Sequence, residues 1–258
     1  MCKIKERVLE EILLYSAPGL HEKCGVDIYF TSRLGGYSKG EYSSLNLAFH
    51  VGDGLEPLKR NRYKLRKALG LNNPMQYLKQ SHSDKIIFLK NLENKEIPEA
   101  DALVTNLKNI PLMVMGADCN LIIIVDELKK VVAAVHAGWK GTLNRIVQKT
   151  IKFLKDNFNS KALLFYIGPS IRKCCYGVPK DRVELFIKEF GDKKFYHLEK
   201  GQAFLDLVRI NKNQILDFNI PPKNIYDCSI CTFCDQRFYS YRRNKITGRQ
   251  GAIAVIRK

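Results

Sequence analysis

The tightest constraint on this chain is a series of short, β-branched apolar runs, each closed by turn residues. Residues 26–31, 86–89, 112–115, 121–125, 131–135, 163–167 and 252–256 have the length and residue types of strands. Several are apolar at every position rather than at alternate ones, so both faces of the sheet must be covered. A helical stripe follows at Leu143, Ile146, Val147, Ile151 and Leu154, and weaker helical periodicity marks 57–69, 182–190 and 204–218. Strands and helices interleave, with no internal repeat and no linker. The expectation is a layered α/β or α+β fold, a single domain over residues 1–258.

Composition narrows the function classes. The chain is long enough to bury a full core, and its longest apolar run is far too short to span a bilayer, so no membrane role is expected. The N-terminus has no signal-like apolar core, which makes the cytoplasm the expected location. The net charge of +17 is scattered, and the densest basic cluster, around Lys59, Arg60 and Arg62, reads as one helix. Without aromatic platforms or a basic recognition helix, this charge does not indicate nucleic-acid binding. It does favour anionic substrates through long-range steering.

Chemistry-bearing residues collect at the ends of strands. His82 follows an expected strand, in Gln80-Ser81-His82-Ser83-Asp84, Cys119 separates two apolar runs, and His136 ends the run 131–135 just before the clearest helix. One cysteine and two histidines form a known catalytic zinc set, which leaves a fourth position for water. By spacing alone this is a weak signal, since a cysteine at a strand end is more often packed in a core and a lone histidine more often a hydrogen-bonded structural residue. Cys228, Cys231 and Cys234 repeat the C-x-x-C spacing but have no nearby fourth ligand. Together with the vicinal pair Cys174 and Cys175, they read as reduced structural thiols. A long polar loop with Gly35 and Gly36, with Arg33 at its mouth, is either an ordinary connection or an anion-binding turn.

The motifs Thr31-Ser32-Arg33-Leu34-Gly35-Gly36, Ser44-Leu45-Asn46-Leu47, His50-Val51-Gly52-Asp53, Gln80-Ser81-His82, Ala100-Asp101-Ala102, Ala117-Asp118-Cys119, His136-Ala137-Gly138-Trp139-Lys140-Gly141, Cys174-Cys175-Tyr176, Ser240-Tyr241-Arg242-Arg243 and Thr247-Gly248-Arg249-Gln250 occur in order from about residue 25 onward. In this the chain resembles the laccase-domain proteins, also called YfiH-like or multicopper polyphenol oxidase proteins. Lys140 stands where arginine is common, and Leu121 where a proline often follows the Ala-Asp-Cys element.

The resemblance implies a three-layer α/β/α sandwich with a mixed sheet, like the catalytic fold of cytotoxic necrotizing factor. It implies zinc held by His82, Cys119 and His136, with copper as the alternative ion. It also implies purine nucleosides and phosphate as the partners: phosphorolysis of adenosine, inosine and guanosine, together with methylthioadenosine phosphorolysis and adenosine deamination. Within that frame Asp84 is the candidate proton shuttle, Asp118 a second candidate or a group orienting a ligand, and Cys119 part of the catalytic set. Arg33, Gly35 and Gly36 are candidates for phosphate, and Asn46 for base or ribose.

Two other chemistries compete. A copper oxidase of phenols would need paired His-x-His segments, which the five histidines do not form. A hydrolase or amidase acting on cell-wall precursors would use Cys119 as nucleophile and His136 as base.

Overall fold

The computed structural model describes residues 3–93, 96–191 and 193–257. Its first sheet comprises β1 (Lys5–Leu9), β2 (Ile12–Ser16), β3 (Val26–Thr31), β6 (Leu112–Gly116) and β14 (Gln250–Ile256). These run antiparallel in the order β1-β2-β3-β14-β6. The second comprises β4 (Ile86–Leu89), β5 (Ala102–Thr105), β7 (Asn120–Asp126), β8 (Val131–Ala137), β9 (Leu163–Ile167) and β13 (Ile225–Asp227). Its order is β13-β9-β7-β8-β5-β4, with parallel pairs at both edges and antiparallel pairs between. A small third sheet joins β10 (Gly177–Val178), β11 (Tyr196–Glu199) and β12 (Gln202–Leu205).

The helices are α1 (Pro18–Cys24), α2 (Leu55–Ala68), α3 (Trp139–Leu143), α4 (Ile146–Phe158), α5 (Lys180–Phe190) and α6 (Leu207–Leu216). None is long and apolar enough to cross a membrane. The helical stripe expected across 143–154 is broken. Arg145 adopts a left-handed backbone (φ 62°), which ends α3 and lets α4 begin on a new axis. The expected helix over 204–218 starts later, because Phe204 belongs to β12 and Asp206 caps α6 by accepting from the Arg209 amide.

The mixed α/β class agrees with expectation, but the layering has four tiers rather than three. Alternate residues of each strand point to opposite faces. From β7, Leu121, Ile123 and Val125 join Phe30, Val114, Ala252 and Ala254 of the first sheet in one core. Ile122 and Ile124 face Ile146, Val147, Ile151 and Leu154 of α4 and Val208 and Ile215 of α6. On the far side of the first sheet, Ile253 and Val255 pack with Leu65 of α2. The two sheets therefore cover each other, and helices cover the outer faces. An all-apolar run reports that both faces are buried, not what buries them.

This arrangement brings distant segments to one edge. β6 ends at Gly116, which pairs with Gln250 at the start of β14. The chain then crosses through Ala117, Asp118 and Cys119 to the second sheet. There Leu121 of β7 lies opposite His136 of β8, and the His136 amide donates to the Asp101 carbonyl at the start of β5 (2.8 Å).

Candidate metal centre

The edge where the sheets meet holds His82, Cys119 and His136. One ligand atom from each lies within 4.8 Å of the others. The Cys119 sulfur is 3.7 Å from His82 Nε2, and the two imidazoles meet edge to face with centroids 4.9 Å apart. His82 has a left-handed backbone (φ 60°), a conformation that a non-glycine residue adopts only when its surroundings enforce it.

Asp101 does the enforcing. Its fully buried carboxylate accepts from the amides of Ser81 (3.2 Å), His82 (3.1 Å) and Ser83 (2.6 Å) and from the Ser83 hydroxyl (2.7 Å). It also takes His136 Nδ1 at 2.8 Å. Asp101 holds the proton on Nδ1, so a metal would displace only the Nε2 proton of His136, the usual carboxylate–histidine–metal relay. Burial works against the Asp101 charge, but His136 and Ser83 outweigh it and bring its pKa down to about 2.

Burial likewise opposes ionisation of Cys119, yet His136 and His82 lower its thiol to about 6, so it is a thiolate at neutral pH. Burial would depress His136, but the Cys119 thiolate and Asp101 raise it to about 9. A thiolate and two imidazoles, oriented by a buried carboxylate, fit a tetrahedral divalent ion with one open position. Gly138 closes the centre from behind. A Cβ there would stand 2.6 Å from His82 Cδ2 and 3.2 Å from the Cys119 sulfur.

The three residues form one wall of a cavity of about 470 Å3, lined also by His50, Gln80, Met115, Tyr241 and Arg249. Gln80 is committed to structure, since its amide exchanges hydrogen bonds with both backbone groups of Met115. Burial, then the charges of Arg249 and Arg62, lower the pKa of His50. Burial also lowers Arg249, opposed by the nearby Cys119 and Asp118. Tyr241 is half-exposed at the rim. His50, Asp101, Tyr241 and Arg249 all lie in motifs visible in the sequence, but nothing in the sequence says which side chains point inward.

The structure does not bring the other sequence candidates to the cavity wall. Asp84 pairs with Lys149 of α4, whose hydrogen bond holds its carboxyl below the usual range. Asp118 is spent on bracing: Oδ1 accepts from Thr232 Oγ1 (2.7 Å) and Oδ2 from the Arg242 amide (2.6 Å). Arg33 donates to the Ser43 carbonyl, and its guanidinium lies over the Tyr239 ring at 4.9 Å. Asn46 is buried, holding Ala48, Asp53 and the Arg249 amide. Gly35 and Gly36 are required by close backbone packing, where a Cβ would meet the Glu11 carbonyl at 2.5 Å and the Ser44 carbonyl at 2.2 Å. The cysteines also regroup. Cys228 stays apart, whereas Cys174 and Cys175 converge on Cys231 and Cys234, supplying the fourth ligand that spacing along the chain had not revealed.

Comparison with known proteins bears on this geometry. The family model described as multi-copper polyphenol oxidoreductase laccase matches residues 27–257. The chain belongs to this family. A purine nucleoside phosphorylase of Haemophilus influenzae is 32% identical over 233 residues, covering 88% of this chain and 93% of that protein. A purine nucleoside phosphorylase of Clostridium acetobutylicum is 39% identical over 195 residues, covering 69% and 75%. Among solved structures, YfiH of Bacillus licheniformis superposes with a TM-score of 0.87 at 25% identity, covering 97% of this chain and 98% of the other. YlmD of Geobacillus stearothermophilus gives 0.86 at 29% identity, covering 95% and 96%. The chain thus matches a family model described as a laccase and relatives named for purine chemistry, and shares its fold over nearly its whole length with the two solved structures.

Proposed function

We propose that this chain is a zinc-dependent purine nucleoside phosphorylase acting on adenosine, inosine and guanosine. Methylthioadenosine phosphorolysis and adenosine deamination would use the same cavity. The observation that carries the reading is the convergence of His82, Cys119 and His136 on a cavity of nucleoside size that is also lined by a half-buried arginine, Arg249. The names of the relatives from Haemophilus influenzae and Clostridium acetobutylicum supply the reaction class.

A bound zinc ion supplies Lewis acidity at this wall. The chain's own groups supply the rest. Arg249 offers a permanent positive charge to phosphate from within the cavity, a role its position supports better than that of Arg33. Tyr241 offers an aromatic face at the rim for the purine. His50, its pKa lowered by burial and by Arg249 and Arg62, can donate a ring N–H hydrogen bond to the purine; as the bond from C1′ to the base breaks and a phosphate oxygen bonds to C1′, the leaving nitrogen takes its proton from water. Asp101 keeps His136 in one tautomer, and Gly138 keeps the ligand rings in contact.

One observation favours a second reading. Cys119, His136 and Asp101 form an aligned thiol–imidazole–carboxylate series of the kind a thiol hydrolase uses. The adjacent His82 ring has no part in that chemistry but completes a metal set. Incubation with inosine decides between the two. Phosphorolysis yields hypoxanthine and ribose 1-phosphate only when phosphate and metal are present. Equal release of hypoxanthine without phosphate refutes the phosphorylase assignment, and full activity in metal-free protein refutes the metal's part in it.

A further inference from the structure

Four cysteines outside the cavity meet although two adjoining pairs are far apart in sequence. Cys174 and Cys175 lie in the turn after β9, Cys231 and Cys234 in the turn after β13, and their sulfurs all lie within 4.8 Å of one another. The Cys234 sulfur is 3.9 Å from that of Cys174 and 3.3 Å from that of Cys175. We propose that Cys174, Cys175, Cys231 and Cys234 bind a second zinc ion as a closed tetrathiolate site.

The distances discriminate among the states open to four thiols. A disulfide joins two sulfurs at about 2.05 Å and leaves no reason for the other pair to gather round it. A polynuclear iron–sulfur cluster places several metal and sulfide atoms between its thiolates and needs a wider ring of cysteines. A tetrahedral ion with zinc–sulfur bonds of about 2.3 Å spaces its ligands about 3.8 Å apart. The observed 3.3 and 3.9 Å bracket that value. Cys231-Thr232-Phe233-Cys234 also has the two-residue gap of a chelating turn, closed by the Asp235 amide donating to the Cys231 carbonyl (3.0 Å).

The two turns are held together without any metal, so the site is preformed. Ser170 and Cys231 form a parallel bridge, in which the Ser170 amide donates to Ile230 and the Thr232 amide to Ser170. Cys174 and Cys234 are exposed. Four gathered thiols at a surface oxidise readily unless a metal occupies them. Binding consumes no oxidant: each thiol releases its proton to solvent and its sulfur pair bonds to the ion.

The site also connects to the cavity. Thr232, inside the chelating turn, donates to Asp118 beside Cys119, and Arg243 donates to the carbonyls of Thr232 and Phe233. A tetrathiolate would thus anchor the segment that carries Tyr241 to the cavity rim.

Elemental analysis of the full chain, purified anaerobically without chelator from zinc-supplemented cells, tests the proposal. The expected result is about two zinc ions per chain, about one in Cys119→Ala, about one in Cys231→Ser/Cys234→Ser and none when all three changes are combined. Unchanged zinc in the double serine variant, acid-labile sulfide, or these cysteines mapped as disulfides in fresh protein would overturn it. Cobalt loading covers the case in which the serine variant does not fold. Cys119→Ala should retain about four-fifths of the thiolate-to-cobalt charge-transfer intensity, because four of five ligand thiolates remain. Loss of that band with Cys119 alone would also overturn the proposal.

Discussion

Changing Asp101 to asparagine isolates the group that aligns the centre while preserving volume. The carboxylate accepts from five donors: His82 N and His136 Nδ1 at one oxygen, and Ser81 N, Ser83 N and Ser83 Oγ at the other. Asparagine has one acceptor oxygen, so either amide orientation turns an NH2 group against two N–H donors. The Ser83 hydroxyl can rotate to accept and His136 can change tautomer to accept at Nδ1, but the backbone amides cannot. With NH2 turned toward His136 the one buried amide left unsatisfied, that of His82, costs about 1–3 kcal/mol. For a chain of this size that lowers Tm by roughly 2–12 °C. Loss of His136 orientation should weaken zinc by about 10–100-fold. Competition with a chromophoric chelator measures the affinity, and calorimetry of the metal-free form measures the stability. Zinc affinity within two-fold of the parent, with an unchanged Tm, would refute the role given to Asp101.

Gly138→Ala adds a Cβ 2.6 Å from the His82 ring at a backbone angle that alanine tolerates, so it should leave the fold intact by circular dichroism but lower zinc content and activity together. Arg249→Ala should raise the apparent KM for phosphate about 10–100-fold through loss of a charge-assisted contact of about 1.5–3 kcal/mol. Arg33→Ala should lower Tm and leave that KM unchanged, as steady-state kinetics at varied phosphate would show. Asp227, partly buried among Arg172, Lys212 and the Ser229 amide, has its pKa lowered because those partners outweigh desolvation. A group with a folded pKa below its unfolded one contributes stability that is complete above the unfolded value, about 4, and disappears as pH falls through the folded one. Asp227→Asn should therefore be less stable than the parent at pH 7, and the gap should close below pH 4 in thermal melts.

How far the sequence could be read depended on the kind of information each element carried. β9 and the centre of β7 stood out because Leu163 to Ile167 and Leu121 to Val125 have no polar residue to disguise them. The hairpin of β1 and β2 did not, since the exposed Lys5, Glu6 and Arg7 make β1 look like a charged amphipathic segment. His82, Cys119 and His136 were legible through the motifs around them. Their support was not. Asp101 acts by side-chain direction, and Arg249 replaces Arg33 at the cavity only because β14 pairs with β6 beside the crossover. The four-cysteine cluster depends on the bridge between Ser170 and Cys231, a contact between segments about sixty residues apart.

The location of the centre follows from the two-sheet architecture. A single sheet covered by helices has no place where one strand ends in one layer and the next begins in another. Here the crossover from β6 to β7 does so, and its three residues lie in the gap between layers. A crossover so short is strained, as the left-handed backbone of Asp118 (φ 91°) shows, and it needs outside support. Asp118 obtains that support from Thr232 and Arg242, which belong to the segment running on to Tyr241 and Arg249. The hydrogen bonds that stabilise the crossover therefore also register the cavity-lining Tyr241 and Arg249 against Cys119. The candidate ligands and the cavity wall are set by one carboxylate on each side: Asp101 beneath the histidines and Asp118 behind the cysteine. Neither carboxylate lines the cavity, and the group is assembled by the protein's own hydrogen bonds.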